Sequence, residues 1–126
     1  MEIEAKDICK VFTTDSVRTS ALHNVSLTIH DGDFVAVMGP SGCGKSTLLN
    51  ILGLLDSPTS GSYLLDGVEA ARLKERERTA LRKGKIGFIF QSFNLIDTMT
   101  VRDNIMLPLT NLDLSRAERN RRVEEA

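Results

Sequence analysis

Phe34-Val35-Ala36-Val37-Met38-Gly39-Pro40-Ser41-Gly42-Cys43-Gly44-Lys45-Ser46-Thr47 is the stretch that decides the fold. Its first five residues form an apolar run, the pattern of a strand covered on both faces in a parallel sheet between helices. Gly39 to Ser46 fits G-x-x-x-x-G-K-[ST], and Lys45 to Leu55 continues as a helical run. Each residue type has a physical task. Glycines let the backbone bring amide N–H groups up to phosphate oxygens. Those amides form an anion-binding concavity, reinforced by the positive end of the helix that starts near Lys45. The Lys45 ammonium is placed to reach β- and γ-phosphates as a point charge. The Ser46 hydroxyl suits Mg²⁺, and Thr47 suits an α-phosphate oxygen. The stretch predicts a nucleoside triphosphate site spanning Gly39, Pro40, Ser41, Gly42, Cys43, Gly44, Lys45, Ser46 and Thr47.

On the N-terminal side, Ile3 to Val11 is strand-like and Val25 to Ile29 alternates apolar and polar residues. His30 to Asp33 supplies a turn before the buried run. On the C-terminal side, Asp56-Ser57-Pro58 closes the helix and Ser62 to Leu65 reads as a short strand ending at the turn pair Asp66-Gly67. Glu69 to Lys85 carries seven Lys/Arg against three Glu and reads as a solvated helix. Ile86 to Phe90 reads as a second buried strand. Val101 to Leu107 reads as a short helix stopped by Pro108, and Ser115 to Glu118 is a capping-box pattern opening a charged helix. Alternation of strand and helix places the chain in the α/β class.

Composition narrows the options. With 126 residues, 16 Lys+Arg against 17 Asp+Glu and a formal charge of −1, the chain has no strong non-specific pull toward nucleic acid or acidic lipid. No apolar run approaches the roughly 20 residues of a membrane span. Met1-Glu2-Ile3-Glu4 lacks the basic start of a secretion signal. Two cysteines, Cys9 and Cys43, provide no disulfide framework and suit a reducing compartment. A cytosolic domain is expected. Cys9 reads as a small core residue, whereas Cys43, at a helix N-terminus beside Lys45, is expected to react readily with alkylating agents.

The segments Leu22 to Ile29, Gly39 to Gly61 and Ile86 to Leu95 closely resemble ATP-binding subunits of ABC transporters, in the family's order along the chain. The resemblance implies the P-loop NTPase fold of ABC ATPase type, α/β with an N-terminal antiparallel β portion and incomplete here. It implies ATP and Mg²⁺ as ligands. Phe12, 27 residues before Gly39, falls where the family places an aromatic that stacks on adenine, and Val17 would flank the base. The alternative for Phe12 is a core or hairpin residue. Gln91 resembles the family's glutamine that touches Mg²⁺ and the attacking water, giving Lys45 and Gln91 as candidate catalytic residues and Ser46 and Gln91 as metal contacts. Ser92 to Leu107, with Phe93, Leu95, Ile96 and Met99, would face a transmembrane permease subunit or domain; the alternative is internal packing. Two such domains would pair head to tail as a homodimer, at the cytoplasmic face of the cell membrane and without nucleic acid. The wording of Leu52 to Gly61 and Phe90 to Pro108 looks like the group that exports lipoproteins, macrolides or antimicrobial peptides.

Three family elements are not found. No apolar run after Gln91 ends in Asp-Glu, no Leu-Ser-Gly-Gly-Gln signature occurs, and both histidines, His23 and His30, precede the P-loop. Asp66 after Tyr63-Leu64-Leu65 is a poor candidate for the missing magnesium carboxylate, because Gly67 follows it. The expectation is therefore the N-terminal portion of a nucleotide-binding domain: about 1–91 the P-loop core and antiparallel portion, about 92–126 the start of the helical subdomain. Hydrolysis would belong to the complete protein. The rivals are an ATP-binding module without hydrolysis, a soluble non-transport ABC ATPase and a small-molecule P-loop kinase.

Overall fold

A computed structural model describes all residues from Met1 to Ala126. The chain divides into two compact units, Met1–Arg82 and Lys83–Ala126.

The first unit is built on a four-stranded antiparallel sheet of β1 (Ile3–Thr14), β2 (Val17–Ile29), β3 (Ser60–Leu65) and β4 (Val68–Glu69), ordered β2-β1-β3-β4. β1 and β2 form a long hairpin closed at Thr14 and Val17, and register shifts interrupt its ladder between Ala5 and Val11. Asp7 and Asn24 take positive φ of 51° and 47° in this irregular stretch. Such bulges re-aim side chains across a sheet. Here Ile8 is fully buried, with Lys10 and Phe12 following along the same strand. β3 and β4 are joined by the predicted turn pair, Asp66 and Gly67, at φ 50° and 75°. Two successive positive φ values characterise the hairpin turn that Asp-Gly favours.

α1 (Lys45–Leu52) buries Leu48, Ile51 and Leu52, which join Ile8, Leu22, Leu54, Tyr63 and Leu65 as the core. The apolar face of an eight-residue helix contributes stability chiefly through this burial, since so short a helix is marginal alone. The Tyr63 hydroxyl donates to Leu52 O at 2.5 Å, fixing the C-terminal end of α1 on the sheet. Burial and, secondarily, the charge of Asp66 push the Tyr63 phenol up from 10.0 to about 12. A raised native value means that the contribution of the neutral phenol is intact below pH 10 and is lost as pH rises through 12. The chain has one tyrosine and no tryptophan, so tyrosinate absorbance reports this group alone. We expect its titration midpoint near 12 in the folded chain and near 10 in denaturant; a midpoint near 10 in both would contradict the packing of Tyr63.

α2 (Glu75–Arg82) is shorter than the helix expected over 69–85, because Glu69 is engaged in the sheet edge. Its carboxylate accepts from Ser62 Oγ, Tyr63 N and Ala71 N. Arg82 donates to Leu54 O at 2.7 Å.

The second unit contains α3 (Val101–Leu109) and α4 (Arg116–Glu125), which pack together. Each is capped by a hydroxyl: Thr100 accepts from Asp103 N and Ser115 from Glu118 N. Pro108 lies inside the last turn of α3 rather than ending the helix before it. Hydrogen bonds from Arg121 and Arg122 hold the Glu118 carboxyl down at about 2.

Two expected strands are absent. Phe34 to Met38 and Ile86 to Phe90 lie in no ladder. A strand exists only through hydrogen bonds to neighbours, and an apolar run has strand propensity without supplying the partner. Phe34 and Ile89 are fully exposed as a result. Within the second run, Phe88 and Phe90 stack on each other at 5.5 Å between centroids. The helix after the P-loop also ends earlier than Leu55, at Leu52, where Gly53 caps it and Leu54 turns at φ 60°. Cys9 is half-buried rather than a core residue, with Sγ 2.9 Å from Asn24 Oδ1.

Candidate nucleotide-binding site

The loop from Gly39 to Gly44 enters α1 through Gly44, whose φ of 94° is left-handed and which offers no side-chain cap. The first-turn N–H groups of a helix have no intrahelical partner, and they are normally satisfied by a cap, water or a ligand. Here they border a cavity of about 180 Å³ lined by Ala21, Gly42, Gly44, Lys45, Ser46 and Thr47. The Ser46 hydroxyl makes no hydrogen bond within the chain. An uncommitted oxygen on the cavity wall fits a magnesium ligand, since Mg²⁺ takes oxygen donors. Lys45 Nζ folds back on the loop and donates to Gly39 O at 2.8 Å and Pro40 O at 2.7 Å, with Cys43 Sγ at 3.6 Å.

One side of this cavity comes from a residue that the motif does not contain. Lys10 pairs with Leu22 and Val11 with Ser20, which leaves Ala21 as the extra residue of a β-bulge in β2. The Ala21 carbonyl turns toward the loop, and a Cβ added to Gly44 would come within 2.4 Å of it. The bulge therefore seats the P-loop on β2 and explains a glycine at 44. Bulges leave no consistent mark in a sequence, so Ala21 could not be found from the motif.

Phe12 and Val17 lie on the hairpin of β1 and β2, half-exposed and exposed respectively. Phe12 pairs with Thr19, and Val17 lies two residues from Thr19, so all three side chains share one face. Thr19 is two residues from Ala21, and the apolar face thus starts about 7 Å along β2 from the cavity wall. The structure brings together Gly39 to Thr47, and sets Phe12 and Val17 on the strand pair that seats them.

Gln91 follows Phe90 in the second unit and is exposed. Further along that unit, Leu95, Ile96, Asp97, Met99, Val101, Asn104 and Ile105 line a groove of about 310 Å³. The Asn104 side chain shapes it: Oδ1 accepts from Ile96 N at 2.8 Å, and Nδ2 donates to Ile96 O at 3.1 Å and Thr100 O at 3.0 Å. Phe93, expected with these apolar residues, is almost fully exposed and does not line the groove.

A glycine-rich loop that opens a helix at Lys45, G-x-x-x-x-G-K-S in sequence, is the P-loop arrangement, here beside an antiparallel sheet. The chain belongs to the ABC transporter family, whose profile matches residues 22–126. It is 46% identical to the macrolide export ATP-binding/permease protein MacB of Neisseria gonorrhoeae over 98% of its length, which is 19% of that protein. It is 45% identical to the ABC transporter ATP-binding protein MJ1508 of Methanocaldococcus jannaschii, over 98% of this chain and 55% of the other. The fold matches a dimeric structure of the ATP-binding cassette MJ0796, bound to ADP and Pi in a post-hydrolysis state. That match has a TM-score of 0.88 at 42% identity, covering 98% of this chain and 54% of that one. The chain thus spans about half the length of these ATP-binding relatives. No helix is long and apolar enough to cross a membrane.

Proposed function

We propose that the chain is the nucleotide-cradling part of an ATP-binding cassette that powers a membrane permease. The observation that carries this reading is the uncapped start of α1 opening on the cavity beside Lys45. The loop amides of Gly39 to Gly44 and the first turn of α1 hold the phosphates, and Lys45 leaves the Gly39 and Pro40 carbonyls to meet the β- and γ-phosphates. Ser46 holds Mg²⁺, joined by Gln91, which also orients the attacking water. Thr47 meets the α-phosphate. Phe12 stacks on adenine with Val17 at its edge; a base–aromatic stack is worth about 1–3 kcal/mol and needs only a ring face. Two cassettes pair as a homodimer, a reading supported by the dimeric MJ0796 structure.

The Ser92–Leu107 segment meets the permease through the groove of Leu95, Ile96 and Met99, which suits a short apolar helix. A relative that joins ATP-binding and permease parts in one chain supports that partner. The complete protein then hydrolyses ATP at the inner face of the membrane, with about 1–91 as P-loop core and antiparallel portion and about 92–126 as the start of the helical subdomain.

Cys43 provides the test. It is exposed, in the loop, and 3.6 Å from Lys45 Nζ. Mg-ATP is expected to slow its modification by a maleimide strongly, with a Cys43→Ala variant reporting the background from Cys9. Modification at the same rate under saturating Mg-ATP would contradict phosphate binding in this loop.

A further inference from the structure

The Lys10 ammonium is committed in three directions. It donates to Asp56 Oδ1 at 2.7 Å and to Ser57 O at 2.7 Å, and it lies 5.1 Å from the centroid of the Phe12 ring. Two of the three ammonium donors are thus used, and the charge lies over the ring. The side chain is only 13% exposed, which shields these contacts from water and salt. Burial pushes the Asp56 carboxyl up, but the bonds from Lys10 and Ser57 N outweigh it and hold the group below its ordinary value. Lys10 therefore joins three places: the strand β1, the segment just after α1, and one side of Phe12. With 45% of its surface exposed, Phe12 keeps room for a ligand.

We propose that Lys10 is a positioning residue for the nucleotide base, fixing Phe12 from one side so that its other face is presented to adenine. The proposal rests on the reading of Phe12 as the base platform. A cation on one face draws ring electron density toward itself, which lessens the repulsion between the opposite face and a stacked base. The bonds to Asp56 and Ser57 O add a second effect. They fasten the platform strand to the chain leaving the P-loop helix, so that base and phosphate contacts are held in register.

The test compares two probes on the same chain, Mg-ATP and inorganic tripolyphosphate, which has the phosphates but no base. Lys10→Met should weaken ATP binding by about two- to thirtyfold, the span of an exposed to desolvated cation–π contact. It should leave tripolyphosphate affinity unchanged. Lys10→Arg should restore ATP affinity, because guanidinium also stacks on aromatic faces and pairs with carboxylate. In a Phe12→Ala background, Lys10→Met should cost nothing further. Equal weakening of both probes would overturn the proposal and assign Lys10 to holding α1 alone. So would the same loss of ATP affinity with Phe12 absent. Should Phe12→Ala by itself leave ATP affinity unchanged, the base-platform reading fails, and the role of Lys10 fails with it.

Discussion

Replacing Lys45 with alanine is expected to weaken Mg-ATP binding by about 10- to 100-fold, the effect of losing a hydrogen bond between charged partners. The melting temperature of the unliganded chain should stay where it is. Both expectations follow from the position of the ammonium. Its partners in the free chain are the Gly39 and Pro40 carbonyls, at 2.8 and 2.7 Å in contact with solvent, and water replaces it there without penalty. With nucleotide bound as proposed, it would face phosphate oxygens in the cavity lined by Gly42, Gly44, Ser46 and Thr47, where no water supplies an equivalent positive charge. Binding and stability should thus separate cleanly. A variant that binds Mg-ATP as tightly as the parent would remove Lys45 from the site. One that melts early would give the lysine a structural task instead.

Gly44→Ala should do the opposite, damaging stability and binding together. At φ 94° an alanine pays for left-handed backbone, about 1–2 kcal/mol. Its Cβ would also stand 2.4 Å from Ala21 O and 3.0 Å from Leu22 Cδ2. The first neighbour is backbone within the β2 bulge and the second belongs to a core side chain, so neither yields easily. We expect a total loss of about 3 kcal/mol or more, and loss of the cavity as the loop lifts from β2. Gly42→Ala is the control. Its φ of 79° carries the same kind of strain, yet a Cβ there meets nothing within 4 Å. A loss of about 1–2 kcal/mol is expected, from the backbone alone and with the fold intact. Denaturant unfolding of the two variants measures the contrast, and equal losses would contradict the seating of the loop on Ala21.

The glycine-rich loop was legible because its geometry is local. A lysine, a hydroxyl and glycines at fixed spacing define the backbone path, and Gly39 to Gly44 lead into α1 at Lys45 as that spacing requires. The Asp66-Gly67 turn and the Ser115 cap were legible for the same reason. The apolar runs Phe34 to Met38 and Ile86 to Phe90 were not, since pairing is a non-local property and hydrophobicity does not name a partner. Ala21 and Lys10 carry no local signal either. Ala21 matters through a bulge carbonyl, which no side chain advertises, and Lys10 through contacts to Asp56 and Ser57, more than forty positions away. Phe12 and Val17 entered through resemblance. The register of β1 and β2 then explains why those two positions share a face.

Thermal melting of the 126-residue chain with and without Mg-ATP, alongside Lys45→Ala, tests the central claim most directly. A ligand that binds only the folded state at 100 times its dissociation constant stabilises it by about 2.7 kcal/mol. The parent chain should gain that stabilisation, and the variant much less at the same nucleotide concentration. No shift of the parent at millimolar Mg-ATP, or an equal shift of both chains, would contradict nucleotide binding at this loop.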